Sequence, residues 1–293
     1  MTHLLFRKLS PALFLVMLVT GFAQQPLQAS ESVSMALFPY AAPAHLIKAH
    51  QPLKERFSQT LQAPIHLVSA RDFASFSDAI RAGQYDIILG APHMGRLAEL
   101  TDQYQWLGFT SNHSYAVIVT HRNHRGKTLK DFKGQQIILP PRSAIVNYLS
   151  RQALQQAGIR PDIDIEIIET SSHQSAMLAA IGDIYPLAGF GKPVWEDFNP
   201  EGKENLLKLF QSKSFPGFAL MANKRLGQEK IAKLRKAFLS FAKTDAGKRY
   251  FSEQGLHNSR PETPQDMPQL DAFLLELGML NTEQRARLEQ SKP

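Results

Sequence analysis

A short apolar strand that hands over to a helix through a tight turn, again and again down the chain, is the pattern that most restricts the fold. Its clearest instance runs from Thr128 to Gly158. Gly134 marks a turn, residues 135–139 are apolar, Pro140 and Pro141 break the strand, and a helical run begins after Ser143 and stops at Gly158. Other strand segments are predicted at 34–38, 65–69, 85–89, 115–120, 163–168, 185–190 and 218–222, and helices at 53–61, 76–82, 145–157, 174–181 and 229–243. Elements this short cannot bury a face alone, so they must stack as helices against sheets in an α/β fold.

A stretch dense in His, Arg and Lys at 120–130 reads as a passage between two lobes, and Phe215-Pro216-Gly217 reads as the return. The expected organisation is therefore two-lobed, with residues 31–118 and 215–293 forming one lobe and residues 119–214 the other. No internal repeat or low-complexity tract is present. Ahead of this, Arg7 and Lys8 precede an apolar run from Pro11 to Phe22 and small residues at Ala23 and Ala29. That run falls short of the roughly 20 residues a spanning helix needs, so residues 1–29, or 1–23, read as an export signal. An uncleaved anchor is the alternative.

The 293-residue chain has no cysteine, which excludes thiol catalysis, thiolate metal sites and iron–sulfur chemistry without contradicting export. Its net charge of +7 suits attraction of anions, yet many of the basic residues, such as Lys230, Lys233, Arg235 and Lys236, fall on a solvated helix face. No nucleic-acid motif accompanies the charge, and nucleic acid is not an expected partner. The pairs His45/His50 and His121/His124 lack the spacing of a helical zinc site, so no metal and no cofactor is expected. No nucleophile elbow, phosphate loop or His-Glu-x-x-His motif appears. Asp86 and Asp183 read as turn residues rather than acid–base groups.

Three segments carry a resemblance. Leu129-Lys130-Asp131-Phe132-Lys133-Gly134 with its strand, Ser-bearing turn and helix, the run from Phe76 to Ile87, and the run from Ser172 to Asp183 agree in order and spacing with type II periplasmic solute-binding proteins. Within that fold the chain is most similar to the phosphate/phosphite/phosphonate-binding family of ABC transporters. The resemblance implies a ligand cleft between two lobes, at strand C-termini and helix N-termini. Ser143, at the turn into a helix, is a candidate for the cleft on its own position. The resemblance further implies a ligand role for His173, at a position where the family uses a histidine.

The family's Ser-Thr-Ser-Gly turn reads Ser143-Ala144-Ile145-Val146 here, and its polar anchors correspond to Phe73, His113 and Phe218. With Tyr115, Tyr40 and His93 these residues predict an aromatic, histidine-bearing pocket. The expected ligand is a small molecule that joins one anionic or strongly polar group to an apolar or aromatic body, with inorganic phosphate bound poorly. The leading expectation is a monomeric periplasmic binding protein that delivers its ligand to an inner-membrane ABC permease and is not an enzyme. A ligand-binding accessory of a membrane sensor kinase and a periplasmic enzyme on the same scaffold are the alternatives. Only His113 or His173 with Ser143 would supply a base and nucleophile for the latter.

Overall fold

The computed structural model describes residues 32–290; the expected export signal lies outside them. Among the described residues thirteen strands form two large sheets and a small ribbon. The first sheet holds β1 (Val33–Leu37), β2 (Ile65–Ser69), β3 (Ile87–Gly90) and β4 (Tyr104–Thr110). The ribbon pairs β5 (His113–Ser114) with β11 (Phe215–Pro216), and the second sheet holds β6 (Ala116–His121), β7 (Gln136–Leu139), β8 (Glu166–Glu169), β9 (Leu187–Gly191) and β10 (Leu206–Gln211). β12 (Ala219–Asn223) and β13 (Ser259–Arg260) return to the first sheet.

The first sheet has the order β13-β4-β12-β3-β1-β2 and the second β10-β6-β9-β7-β8. In each sheet a parallel trio, β2-β1-β3 or β8-β7-β9, is continued by antiparallel strands on its β3 or β9 side. Parallel strands have their carboxyl ends on one edge, and the helices that follow start there. That edge is where an open α/β sheet accepts a ligand.

All eight predicted strands and all five predicted helices exist, shifted by a few residues at their ends. Where the chain changes sheet differs from expectation. β6 lies wholly in the second sheet, so the change falls at residues 111–115 and not at 118/119. The basic stretch 120–130 is no passage either: His124 and Asn123 hold the Asp183 carboxylate at 3.1 and 2.9 Å beside the second sheet.

Among the elements that sequence reading missed are β4 and the helix Pro92–Leu100. Each contains a glycine that weakens its pattern and that packing demands. Gly108 in β4 has φ 135°, and a Cβ there would lie 2.4 Å from the Arg260 carbonyl oxygen. At Gly95 a Cβ would lie 2.4 Å from the Cβ of Ala219 and 2.8 Å from the Trp106 ring. Gly95→Ala therefore sets about 1 kcal/mol of helix propensity against overpacking of about 1–3 kcal/mol in a core that cannot give way. A lower urea midpoint is expected; an unchanged or higher one would show that the helix can move off the sheet.

Apolar clusters cover both faces of each sheet. One of them also crosses between the sheets: Ala144 and Ile145, which follow β7, are buried with Phe38, Phe73, Phe215 and Phe273. Among the described residues no helix is long and apolar enough to cross a membrane.

Candidate functional site

Where the strand ends of the two sheets face each other the chain encloses a cavity of about 70 Å³. At about 10–15 Å³ for one water-sized group, this takes a ligand of roughly five to seven heavy atoms. The space suits a methyl or short alkyl body, with Phe73 and Ile145 in its wall. Its walls are mostly carbon, and no Asp, Glu, Lys or Arg is among them.

Four helices of nine or more residues present their first turns to this cavity. Phe73 opens Phe73–Arg81, Pro92 and His93 open Pro92–Leu100, Ile145 and Val146 open Ile145–Gln156, and His173 opens His173–Ile181. The first N–H groups of a helix have no partner within it and carry a partial positive charge. On Ile145–Gln156 the N-cap is Ala144, whose side chain cannot cap, and the N–H groups of Ile145 and Val146 make no hydrogen bond to the protein. An anion could take both.

His173 supplies the best-defined donor. Its Nδ1 accepts the Gly191 N–H at 2.9 Å, so the neutral ring carries its proton on Nε2. Burial lowers its pKa to about 4, which keeps the ring neutral in the empty site. The ring stacks on Phe73 at 6.3 Å between centroids, which fixes its plane. Nε2–H has no protein partner and belongs to a side chain in the cavity wall.

Phe218 closes the opposite wall and stacks on Tyr40 at 5.1 Å. Its backbone is pinned to Thr110, whose hydroxyl accepts the Phe218 N–H at 2.8 Å and donates to Asn112 Oδ1 at 2.7 Å. Gly217 permits this, since a Cβ there would lie 2.2 Å from Asn112 Oδ1. The Asn112 carboxamide keeps its N–H groups free, a further neutral donor in the wall.

Of the expected site residues, the structure brings Tyr40, Phe73, His93, His173 and Phe218 together around the cavity and leaves Ser143, His113 and Tyr115 out of its wall. The reason at β5 is strand alternation. Asn112 and Ser114 face the cavity, so His113 points away and is exposed, while the Tyr115 hydroxyl donates to Glu196. Period-two alternation could have picked Asn112 and Ser114, had the strand been anchored at its buried residues. Ser143 is not the N-cap; it lies one residue earlier, and its carbonyl rather than its hydroxyl is engaged, by His93 Nε2 at 3.1 Å. Among the described residues no cluster of three or more His, Asp or Glu side chains could hold a metal ion.

Solved structures that share this fold include three from Prochlorococcus marinus, Pseudomonas aeruginosa and Xanthomonas citri. PhnD1 from Prochlorococcus marinus, in complex with methylphosphonate, is 14% identical at a TM-score of 0.75, over 85% of this chain and 99% of that one. A binding protein component of an ABC phosphonate transporter from Pseudomonas aeruginosa is 16% identical at 0.71, over 88% and 93%. A Xanthomonas citri protein bound to chloride is 15% identical at 0.70, over 88% and 100%. These likenesses establish the two-lobed type II binding-protein fold. Compared by sequence with curated proteins, the chain matches none. A family profile described as ABC transporter, phosphonate, periplasmic substrate-binding protein matches residues 35–267, which take in both sheets and every wall of the cavity, and the chain belongs to that family.

Proposed function

We propose that this protein holds a small phosphonate-like oxyanion with a short alkyl group in the cavity and delivers it, unchanged, to an inner-membrane ABC permease. The observation that carries the reading is the convergence of His173 Nε2–H and the open N–H groups of Ile145 and Val146 on a cavity with carbon walls. Oriented dipoles hold the acid group, and Phe38, Phe73 and Phe218 take the alkyl group. The methylphosphonate bound by PhnD1 is a ligand of this size and chemistry. In this reading residues 1–29 direct export and are removed, and the mature chain works as a periplasmic monomer. The lobes are residues 31–118 with 215–293, and residues 119–214, adjusted so that β6 goes whole with the second.

Titration calorimetry of the mature protein tests this. Methylphosphonate should bind at about micromolar Kd or tighter, near −8 kcal/mol. Inorganic phosphate should bind about tenfold or more weakly, since it exchanges a buried methyl, worth about 0.8 kcal/mol, for a hydroxyl that costs about 1–3 kcal/mol without a partner. Absence of heat with millimolar methylphosphonate, or tighter binding of phosphate, would overturn the assignment.

A further inference from the structure

The two histidines in the cavity wall are opposite in hydrogen-bonding character. His173 is a donor, because its Nδ1 is already taken by the Gly191 N–H. For His93 the carbonyl of Ser143 can only accept, so Nε2 carries the proton and the neutral ring leaves Nδ1 as a lone-pair acceptor. That Nδ1 is buried from solvent and has no hydrogen-bond partner. His93 as a whole is 1% exposed. A buried acceptor without a partner is an energetic liability unless something supplies a donor. His93 is one of the residues around the cavity, so the nearest source of a donor is a ligand seated against its ring.

We propose that His93 selects oxyanions that still carry an O–H group, such as the hydrogen phosphonate monoanion. The ligand hydroxyl donates to His93 Nδ1, and its anionic oxygens accept from His173 Nε2–H and the N–H groups of Ile145 and Val146. This rests on the oxyanion reading given above and names the protonation state that the site accepts. Burial lowers the His93 pKa to about 4, the Ser143 bond opposing it, which keeps the ring an acceptor near neutral pH. The uncharged wall argues the same way, because the desolvation cost of a buried ion rises with its charge and a dianion would meet partial charges only. A sulfonate has the same shape and a single charge but no O–H, so it leaves His93 Nδ1 unpaired.

The test is calorimetry of the mature protein with methylphosphonate and methanesulfonate, at a pH below the second ionisation of the phosphonate. Methylphosphonate should bind at least tenfold more tightly, and in His93→Phe, which keeps an aromatic wall without the acceptor, the ratio should fall to threefold or less. Binding of both ligands within threefold in the native protein would sink the proposal and leave the oxyanion reading standing. A ratio that persists in folded His93→Phe would also sink it. If neither ligand binds, the oxyanion reading fails and takes this one with it. Should His93→Phe not fold, dimethylphosphinate with the native protein replaces it: this monoanion keeps the tetrahedral phosphorus without an O–H, and binding equal to methylphosphonate would overturn the proposal.

Discussion

Replacement of His173 by alanine is expected to weaken methylphosphonate binding by about 10- to 150-fold, the equivalent of one hydrogen bond to a charged group at about 1.5–3 kcal/mol. The expectation rests on the fixed tautomer: with Nδ1 engaged by the Gly191 N–H, Nε2–H is the ring's one remaining polar group, and it belongs to the cavity wall. The ring also braces Phe73 and satisfies Gly191, so alanine disturbs more than the ligand bond. His173→Asn separates the two effects, because its carboxamide oxygen can still accept from Gly191 while nothing reaches the ligand. A folded His173→Asn protein with the same loss would assign the effect to the ligand bond. Ser143→Ala should change affinity by less than about twofold, as the Ser143 hydroxyl is not in the wall. A larger loss from Ser143→Ala than from His173→Ala would contradict this arrangement.

The second large effect concerns acid. His50 is 1% exposed, held by the Tyr250 hydroxyl at 2.9 Å, and burial followed by the charge of His45 lowers its pKa to about 4. His93 is lowered to about 4 as well. In the unfolded chain each ring takes up a proton near pH 6.5, so between 6.5 and 4 the unfolded state binds more protons than the folded one. Stability present above pH 6.5 is therefore lost as pH falls towards 4, by about 3 kcal/mol for each of these rings at 1.36 kcal/mol per pH unit. Carboxylates held low by hydrogen bonds, such as Asp72 at about 2, stabilise the fold throughout this window and lose their effect only below it. His173 is lowered to about 4 too, so urea unfolding followed from pH 7 to 4.5 should show the midpoint falling, and His50→Gln should flatten the curve by about a third. A flat native profile over that range would mean that the buried rings find compensation on protonation.

The carbon wall links affinity to closure. Ala144 and Ile145, from the second sheet's side, are buried in the cluster that contains Phe38, Phe73 and Phe273 from the first. Any opening of the cleft must expose that seam at about 25 cal/mol per Å² of apolar surface. The His93 bond to Ser143 spans the same boundary.

Alternation of apolar strands with helical runs was enough to read the α/β class and every one of the eight strands first marked, because strand and helix periods are local properties of the chain. His173 and Phe73 were marked as site candidates through the resemblance alone, and the structure supplies the reason they meet: each opens a helix that follows a strand. Which face a side chain takes was not local. A shift of one position in the register of β5 exchanged Asn112 and Ser114 for His113 and Tyr115 in the wall, and only pairing with β11 sets that register. The helix Pro92–Leu100 was hidden by Gly95, a residue that disfavours a helix in isolation and is required once Ala219 and Trp106 pack against it. The protonation pattern of the two cavity histidines was beyond the sequence altogether. It is decided by a Gly191 N–H 18 residues from His173 and a Ser143 carbonyl 50 residues from His93, partners that long-range folding alone brings within hydrogen-bond reach.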